Sequence, residues 1–329
     1  MNMIKVIVAI TTFNLEKYIS QALESVLSQK TSFPFQIIVA DDHSTDKTPD
    51  ILSRYEEKYS EVIKVLYSER NIGSLANSNR LFDHIDCEYF SFLDGDDYWT
   101  DEYRLQKQVD FLDSHREYSM CGGNTQFLRN GVLAEYMIEK KYMNNEYSFE
   151  DDILRRVPLV HTSSLLVRNT IFKNGLPQCF KDAVGTFEEC ALRGENFRRL
   201  MHLDKAPLYL MDCNFSVYRI HEKGIWQGTT TVRRMIESAI SENYLSKYFK
   251  SSYGDMLERE AKKSYENLMI WLLSNKYLLH PNTLSSKDSY LLAGLIEDVS
   301  KNDSGAKLRG NSLLKVYLMK LLTEVFHFF

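Results

Sequence analysis

Four short apolar runs in the first hundred residues constrain the fold of this 329-residue chain more than any other feature. Lys5–Ile10, Gln36–Ala40, Ile63–Tyr67 and Tyr89–Leu93 have strand length and are rich in β-branched or aromatic residues. Amphipathic stretches lie between them. In Glu16–Gln29 the apolar residues Ile19, Ala22, Leu23, Val26 and Leu27 recur at i, i+3, i+4, i+7 and i+8. Thr48–Tyr59 carries Ile51, Leu52 and Tyr55, with Thr45 or Asp46 placed to cap it, and Ser74–Ile85 carries Leu75, Leu81, Phe82 and Ile85. Strand and helix in alternation predict βαβ units with right-handed crossovers. The predicted class is therefore α/β, with a mostly parallel central sheet flanked by helices.

Each of these strands stops at a polar cluster. Thr11-Thr12-Phe13-Asn14 follows the first and Asp41-Asp42-His43-Ser44-Thr45-Asp46 the second. Arg70-Asn71-Ile72-Gly73 follows the third and Asp94-Gly95-Asp96-Asp97 the fourth. Ligands of open α/β sheets bind outside the carboxyl ends of the strands, so the four clusters describe one rim of one pocket. Three carboxylates around Gly95 repel one another unless a cation sits among them, and a divalent ion with oxygen preference fits. The blander readings are an acidic turn at Asp94–Asp97 and a helix-capping turn at Asp41 and Ser44. No Gly-x-Gly-x-x-Gly or Gly-x-x-x-x-Gly-Lys-Ser/Thr occurs, so phosphates are not cradled in Rossmann or P-loop fashion. An acidic rim still holds a diphosphate where a metal bridges the two.

The series resembles the N-terminal half of family 2 glycosyltransferases of the GT-A fold. Thr11–Asn14 stands at their Thr/Pro-x-Tyr/Phe-Asn turn. Asp41–Asp46 stands at Asp-Asp-Gly-Ser-Thr-Asp, with His43 in place of glycine. Asn71-Ile72-Gly73 stands at Asn-x-Gly, and Asp94–Asp97 at Asp-x-Asp. Val217–Trp226 resembles a Tyr-Arg-x-His-x-x-Gly-x-Trp segment of bacterial members. The resemblance covers residues 4–228, strongly at 4–100 and 217–226. It implies a nucleotide-diphospho-sugar donor, UDP-linked, held by Thr11, Phe13, Asn14, Asp41, Asp42, Asn71, Gly73, Asp94, Asp96, Tyr218 and Arg219. It implies Mn2+ or Mg2+ at Asp96, Asp94, Asp97 and His221. It also implies inversion at the anomeric carbon, with Glu195 as general base in one register. In the other register Asn196 occupies the base position, and Glu188 or Glu189 substitutes or no base remains. The implied role is transfer to a glycan or lipid-linked acceptor in bacterial surface polysaccharide synthesis.

Two rivals stand beside this reading. A nucleotidyltransferase would carry a Gly-rich, Arg/Lys-containing loop after the first strand, and Thr11–Asn14 is not one. A non-catalytic sugar-nucleotide-binding protein of the same fold is favoured if the base position is dead.

Residues 1–228 are expected to form the glycosyltransferase domain, with 1–100 as its nucleotide half and 101–228 as its acceptor half. In the acceptor half, Thr100 is expected to cap a helix over Tyr103–Ser114. Strands are expected at Tyr118–Cys121, Thr125–Arg129, within His161–Arg168 and at Leu208–Met211, and residues 130–160 read as a substrate loop leading into a short helix. Residues 229–329 form a helical appendage, with periodicity over Met235–Tyr248, Met256–Leu273 and Asp288–Val299. From Gly305 to Phe329 four cations and one glutamate accompany a dense apolar stripe. That tail reads as a helix in a membrane interface, or as one docked on the catalytic domain or a second subunit in a homodimer. A net charge of -5, with the acidic excess in the first 230 residues, argues against sequence-independent nucleic-acid binding. Five scattered cysteines without a Cys-x-x-Cys pair fit a reducing cytoplasm. The expected location is cytoplasmic, peripheral on the inner face of the membrane.

Overall fold

The computed structural model describes residues 3–221, 228–275 and 284–302. The chain divides into two compact units, one of Met1–Val184 with Glu195–Gln227 and one of Gly185–Gly194 with Gly228–Phe329.

The first unit opens with the predicted alternation: β1 (Val6–Thr12), α1 (Ile19–Leu27), β2 (Phe35–Asp41), α2 (Thr48–Lys58), β3 (Ile63–Tyr67), α3 (Ser74–Phe82) and β4 (Tyr89–Asp94). Strand β1 pairs in parallel with β2 and β4, and β2 with β3. The registers set Thr11 beside Ala40 and Asp94, and Thr12 beside Asp41, so three polar clusters emerge at one edge. The strands form one buried side of the core, with Val6, Val8, Ile10, Ile37, Val39 and Leu93 packed under Ile19, Leu23 and Val26 of α1. Burial of this apolar stripe holds α1 in place, at roughly 1.5–3 kcal/mol for each fully buried Ile, Leu or Val.

The remainder of the unit comprises β5 (Tyr98–Trp99), α4 (Arg104–Ser114), β6 (Met120–Arg129), β7 (Val132–Tyr136), β8 (Asn145–Tyr147), α5 (Phe149–Ile153), β9 (Leu166–Arg168) and α6 (Gln178–Ala183). The second unit contributes α7 (Glu189–Leu192); α8 (Glu195–Leu203) and β10 (Leu208–Ile220) then return to the first. The strand order is β3-β2-β1-β4-β9-β6-β10-β5, with β7 on β6 and β8 on β10. The α/β class with helices flanking a central sheet is as expected, but the whole sheet is mixed. Its run of parallel pairs is interrupted at β9, which runs antiparallel to both β4 and β6, and resumes between β6 and β10.

Three local expectations change. Thr100 does not cap α4: its hydroxyl lies 3.4 Å from the Asn214 carbonyl, and Asp101 Oδ1 accepts from Tyr103 N at the helix start. The two strands expected at 118–129 are one, β6, which runs through Gly122 and Gly123 although its register with β10 shifts between Gly122 and Asn124. A Cβ on Gly123 would meet the Cys213 oxygen at 2.6 Å and the Phe215 ring at 2.5 Å, so glycine permits the close approach of β10. The stretch 130–160 includes the short helix expected, α5, but the part before it holds two strands, β7 and β8, where a loop is expected. Ser148 and Asp151 form a reciprocal capping box at the start of α5.

The second unit contains α7, α9 (Thr231–Tyr248), α10 (Lys250–Ser274) and α11 (Ser286–Asn302), around a core that includes Ile236, Ile240, Leu268, Leu272, Leu292 and Leu295. The helical appendage read from the periodicity is thus present. Among the described residues no helix is long and apolar enough to cross a membrane. The tail reading at 305–329, and Gly224 and Trp226 of the Tyr-Arg-x-His segment, lie outside the described residues.

Candidate active site

The rim is built by the ends of β1, β2 and β4 and by the loop before α3. Asn14 takes a positive φ of 55°. Its backbone N–H donates to Ser44 Oγ at 2.8 Å, and its Oδ1 accepts from Thr45 N at 2.7 Å, tying the first cluster to the second. Asp41, buried, accepts from Ser44 N at 3.0 Å and from Ser44 Oγ at 2.5 Å. Asp46 accepts from Thr48 N at 2.9 Å and from Glu16 N at 3.1 Å, so it closes the first turn of α2 as anticipated. Asp42, also buried, reaches the third cluster: Oδ1 accepts from Ile72 N at 2.7 Å and Oδ2 from Gly73 N at 3.0 Å. His43 has φ 60° and Gly73 φ 88°. Both backbones are left-handed. Glycine adopts this region freely, whereas His43 occupies it against steric resistance. Phe13 stands exposed at the rim.

The fourth cluster is folded onto the first. Gly95 N donates to the Thr11 carbonyl and Asp97 N to the Asp94 carbonyl, each at 3.0 Å. A Cβ on Gly95 would lie 3.0 Å from the Thr11 oxygen and 3.1 Å from Ile19 Cδ1, so the glycine is needed for space. Strand β5 then pairs antiparallel with β10, Tyr98 opposite Val217. This pairing brings the Tyr-Arg-x-His segment onto the carboxylates. Arg219 N donates to Asp97 Oδ1 at 2.9 Å, Arg219 Nε donates to the Asp96 carbonyl at 2.8 Å, and its Nη2 donates to Gln21 Oε1 at 2.7 Å. His221 Nε2 lies 2.9 Å from Asp96 Oδ2. The Tyr218 ring packs 4.6 Å from the ring of His161. Arg219 thus spends these donors on the acidic turn and α1, which stiffens the rim.

Electrostatics at the turn are strained. Asp97 is fully enclosed, and burial with the neighbouring Asp96 and Asp94 carboxylates drives its carboxyl well above the ordinary range, against the pull of Arg219. Asp94 reaches solvent at the strand end yet is crowded by protein on its other sides. That crowding and Asp96 push it up to about 6, opposed by Arg198 and the Thr11 hydroxyl. Burial lowers the His161 imidazole to about 4, so it is neutral at physiological pH, and its Nδ1 lies 2.7 Å from Ser163 Oγ. His161 Nδ1 is 3.7 Å from Asp97 Oδ2.

These residues fit a divalent cation. Asp97 Oδ2 is buried with no hydrogen-bond partner, a costly state that a cation would relieve. One ligand atom each from Asp94, Asp97 and His161 lies within 4.8 Å of the others. Carboxylate oxygens with one imidazole suit Mn2+, and the oxygens alone suit Mg2+. His161 was expected only as the start of a strand. It arrives here because β9 runs antiparallel to β4, which returns the segment before β9 to the carboxyl end of β4.

Of the three base candidates, Glu195 alone belongs to the unit that holds the rim. It opens α8, where Oε1 accepts from Arg199 Nη1 at 3.0 Å, while Oε2 is buried without a partner. Burial raises its carboxyl to about 7. Arg199 and Arg198 pull it down, and Asp94 adds to the rise. Glu188 and Glu189 belong to the helical unit, where Glu188 pairs with Lys247 at 2.5 Å and Glu189 accepts from Gly185 N at 2.9 Å. Asn196, the residue of the alternative register, is exposed and accepts from Arg199 Nη2 at 3.0 Å.

A family model described as glycosyl transferase family 2 matches residues 7–175. An uncharacterized protein of Mycobacterium bovis is 30% identical over 223 residues, which is 68% of this chain and 61% of that protein. The chain therefore spans about three fifths of the length of such relatives. The putative teichuronic acid biosynthesis glycosyltransferase TuaG of Bacillus subtilis is 40% identical over 102 residues, covering 31% of this chain and 39% of TuaG. The poly(ribitol-phosphate) β-N-acetylglucosaminyltransferase TarS of Staphylococcus aureus is 36% identical over 151 residues, or 44% of this chain and 26% of TarS. The crystal structure of TarS residues 1–349 with UDP-GlcNAc superposes with a TM-score of 0.61 at 17% identity, over 90% of this chain and 82% of that one. This last likeness identifies the fold as GT-A.

Proposed function

This chain belongs to glycosyl transferase family 2, and on that premise we propose that it transfers a hexosyl or N-acetylhexosaminyl group from a UDP-sugar to a hydroxyl of a glycan or lipid-linked acceptor, with inversion, in bacterial surface polysaccharide synthesis. The observation that carries the reading is the rim itself: four strand-end clusters joined by side-chain bonds, with an unpartnered buried Asp97 oxygen among Asp94 and His161. UDP as the donor's leaving group is supported by the TarS complex, and a surface-polymer acceptor by the names of TarS and TuaG.

In this reading Phe13 offers its exposed ring to the base, while Asp41 and Asp42 face the nucleoside with their free lone pairs. Thr11, Asn14, Asn71 and Gly73 shape the rest of the nucleotide seat, and Asp94 lies toward the ribose. Asp94, Asp96, Asp97, His161 and His221 would hold Mn2+ or Mg2+, which when bound neutralises charge on the departing diphosphate. Tyr218 and Arg219 border the diphosphate. The acceptor oxygen attacks the anomeric carbon as the bond from that carbon to the diphosphate oxygen breaks. Its proton passes to Glu195 Oε2, and UDP leaves with the bonding electrons. A carboxyl held near 7 is well matched to take that proton at neutral pH. The basic apolar tail at 305–329 is the proposed contact with anionic lipid on the inner face of the membrane, by its sequence.

Release of UDP from a panel of UDP-sugars with Mn2+ tests the proposal. Release with one sugar and an acceptor glycan, giving an inverted product, is expected. Pyrophosphate in place of UDP would mean a nucleotidyltransferase. UDP binding with no turnover of any sugar nucleotide would mean a non-catalytic binder.

A further inference from the structure

We infer that Asp152 and Arg199 form a clamp that positions Glu195 for proton removal. The inference rests on the reading of Glu195 as the base. Arg199 lies four residues after Glu195 on α8, so the two side chains share a helix face. Its guanidinium does not stop there. Nε donates to Asp152 Oδ1 at 3.1 Å and Nη2 to Asp152 Oδ2 at 3.2 Å, while Nη1 holds Glu195 Oε1 at 3.0 Å. The fork grips one carboxylate with two nitrogens and the other with the third. All three side chains are largely buried: 9% exposed for Asp152, 12% for Arg199 and 14% for Glu195.

Asp152 comes from a distant stretch of chain, 47 residues earlier. It sits on α5, whose start is closed by the Ser148–Asp151 capping box and whose Phe149 is buried. A rigid helix therefore presents the anchor. Two consequences follow for Glu195. Its Oε1 is fixed, so Oε2, which has no protein partner, is the oxygen left to accept a proton. One guanidinium is also shared between two carboxylates, so Glu195 is oriented without being fully neutralised and keeps its basicity. Asp152 and Arg199 act through Glu195 and need not touch the substrate.

The test compares kcat with donor affinity in the full-length enzyme. Asp152→Asn keeps the shape and removes the charge. It should lower kcat by about 10- to 100-fold while the Kd for UDP, read by calorimetry, stays within twofold, and Asp152→Glu should restore most of the rate. Arg199→Lys, which retains a charge but cannot span two carboxylates, should show the same loss in kcat alone. It decides the matter if Asp152→Asn does not fold. If Glu195→Gln is inactive yet Asp152→Asn and Arg199→Lys turn over within twofold of wild type, the clamp is wrong and the base assignment stands. Equal losses in kcat and UDP affinity would mean a general structural role and overturn it as well. Should Glu195→Gln itself transfer sugar at the normal rate, the base reading fails, and the clamp with it.

Discussion

Replacing Asp42 by alanine removes a side chain that ties the end of β2 to the loop before α3, where Asn71 Nδ2 also donates to the Asp42 carbonyl at 3.3 Å. Its two oxygens each accept a backbone N–H, from Ile72 at 2.7 Å and Gly73 at 3.0 Å, and the residue is 4% exposed. A hydrogen bond to a charged group contributes about 1.5–3 kcal/mol when its partner is left unsatisfied. Both bonds border solvent, and water can reach part of the gap, so the expected loss is about 2–4 kcal/mol rather than the full sum. For a cooperative unit of this size each kcal/mol lowers Tm by about 2–4 °C, which gives a drop of roughly 4–16 °C in differential scanning fluorimetry. Asp42→Asn retains one acceptor oxygen and should lose about half as much. The same pair of variants separates folding from ligand contact. If Asp42 also faces the nucleoside, Asp42→Asn should bind UDP more weakly by about 1–3 kcal/mol in calorimetry at temperatures where it is folded. A melting point for Asp42→Ala within 2 °C of wild type would refute the bracing argument, and unchanged UDP affinity in both variants would leave Asp42 a purely structural residue.

Asp96→Asn should keep the fold and UDP binding but lose most turnover and most Mn2+ affinity, the latter measured by electron paramagnetic resonance; near-normal Mn2+ binding would move the cation away from Asp96. Glu195 supplies a pH prediction with opposite signs for stability and rate. Its carboxyl lies near 7 in the fold against 4.5 when exposed, so its proton is held more tightly in the native state. The stabilisation it contributes is complete below about pH 4.5 and is lost as pH rises through 7, whereas kcat should climb over the upper part of that window. Glu195→Gln should flatten both profiles, and an unchanged stability slope between pH 5 and 7.5 would contradict the assignment. His43→Gly should leave Tm within a few degrees, because relief of about 1–2 kcal/mol of left-handed strain is offset by the entropy of glycine. His43→Val should lower Tm, since a β-branched residue resists φ 60° more strongly; equal melting of the two would show that the turn relaxes.

The nucleotide half was legible in the sequence because its information is local. Strand length, helix periodicity and the polar residue after each apolar run need only neighbours in the chain. Parallel βαβ topology then leaves one edge where Thr11, Asp41, Asp42 and Asp94 can emerge. The same locality explains why α1 through β4 follow the periodicity so closely. The site beyond β4 depends on pairings that no local pattern encodes. His161 joins Asp97 only because β9 runs antiparallel to β4, and Arg219 meets the acidic turn only because β5 pairs with β10. Asp152 reaches Arg199 across 47 residues from a stretch that reads only as a substrate loop leading into a short helix. Glu195 could be named as a candidate from its place before the Tyr-Arg-x-His segment. Its carboxyl near 7, however, is a property of burial, of the two arginines beside it and of Asp94. Residue identity determines which chemical groups the chain owns. Tertiary packing decides which of them lose water together, and that loss gives a carboxylate its basicity and leaves an oxygen without a partner.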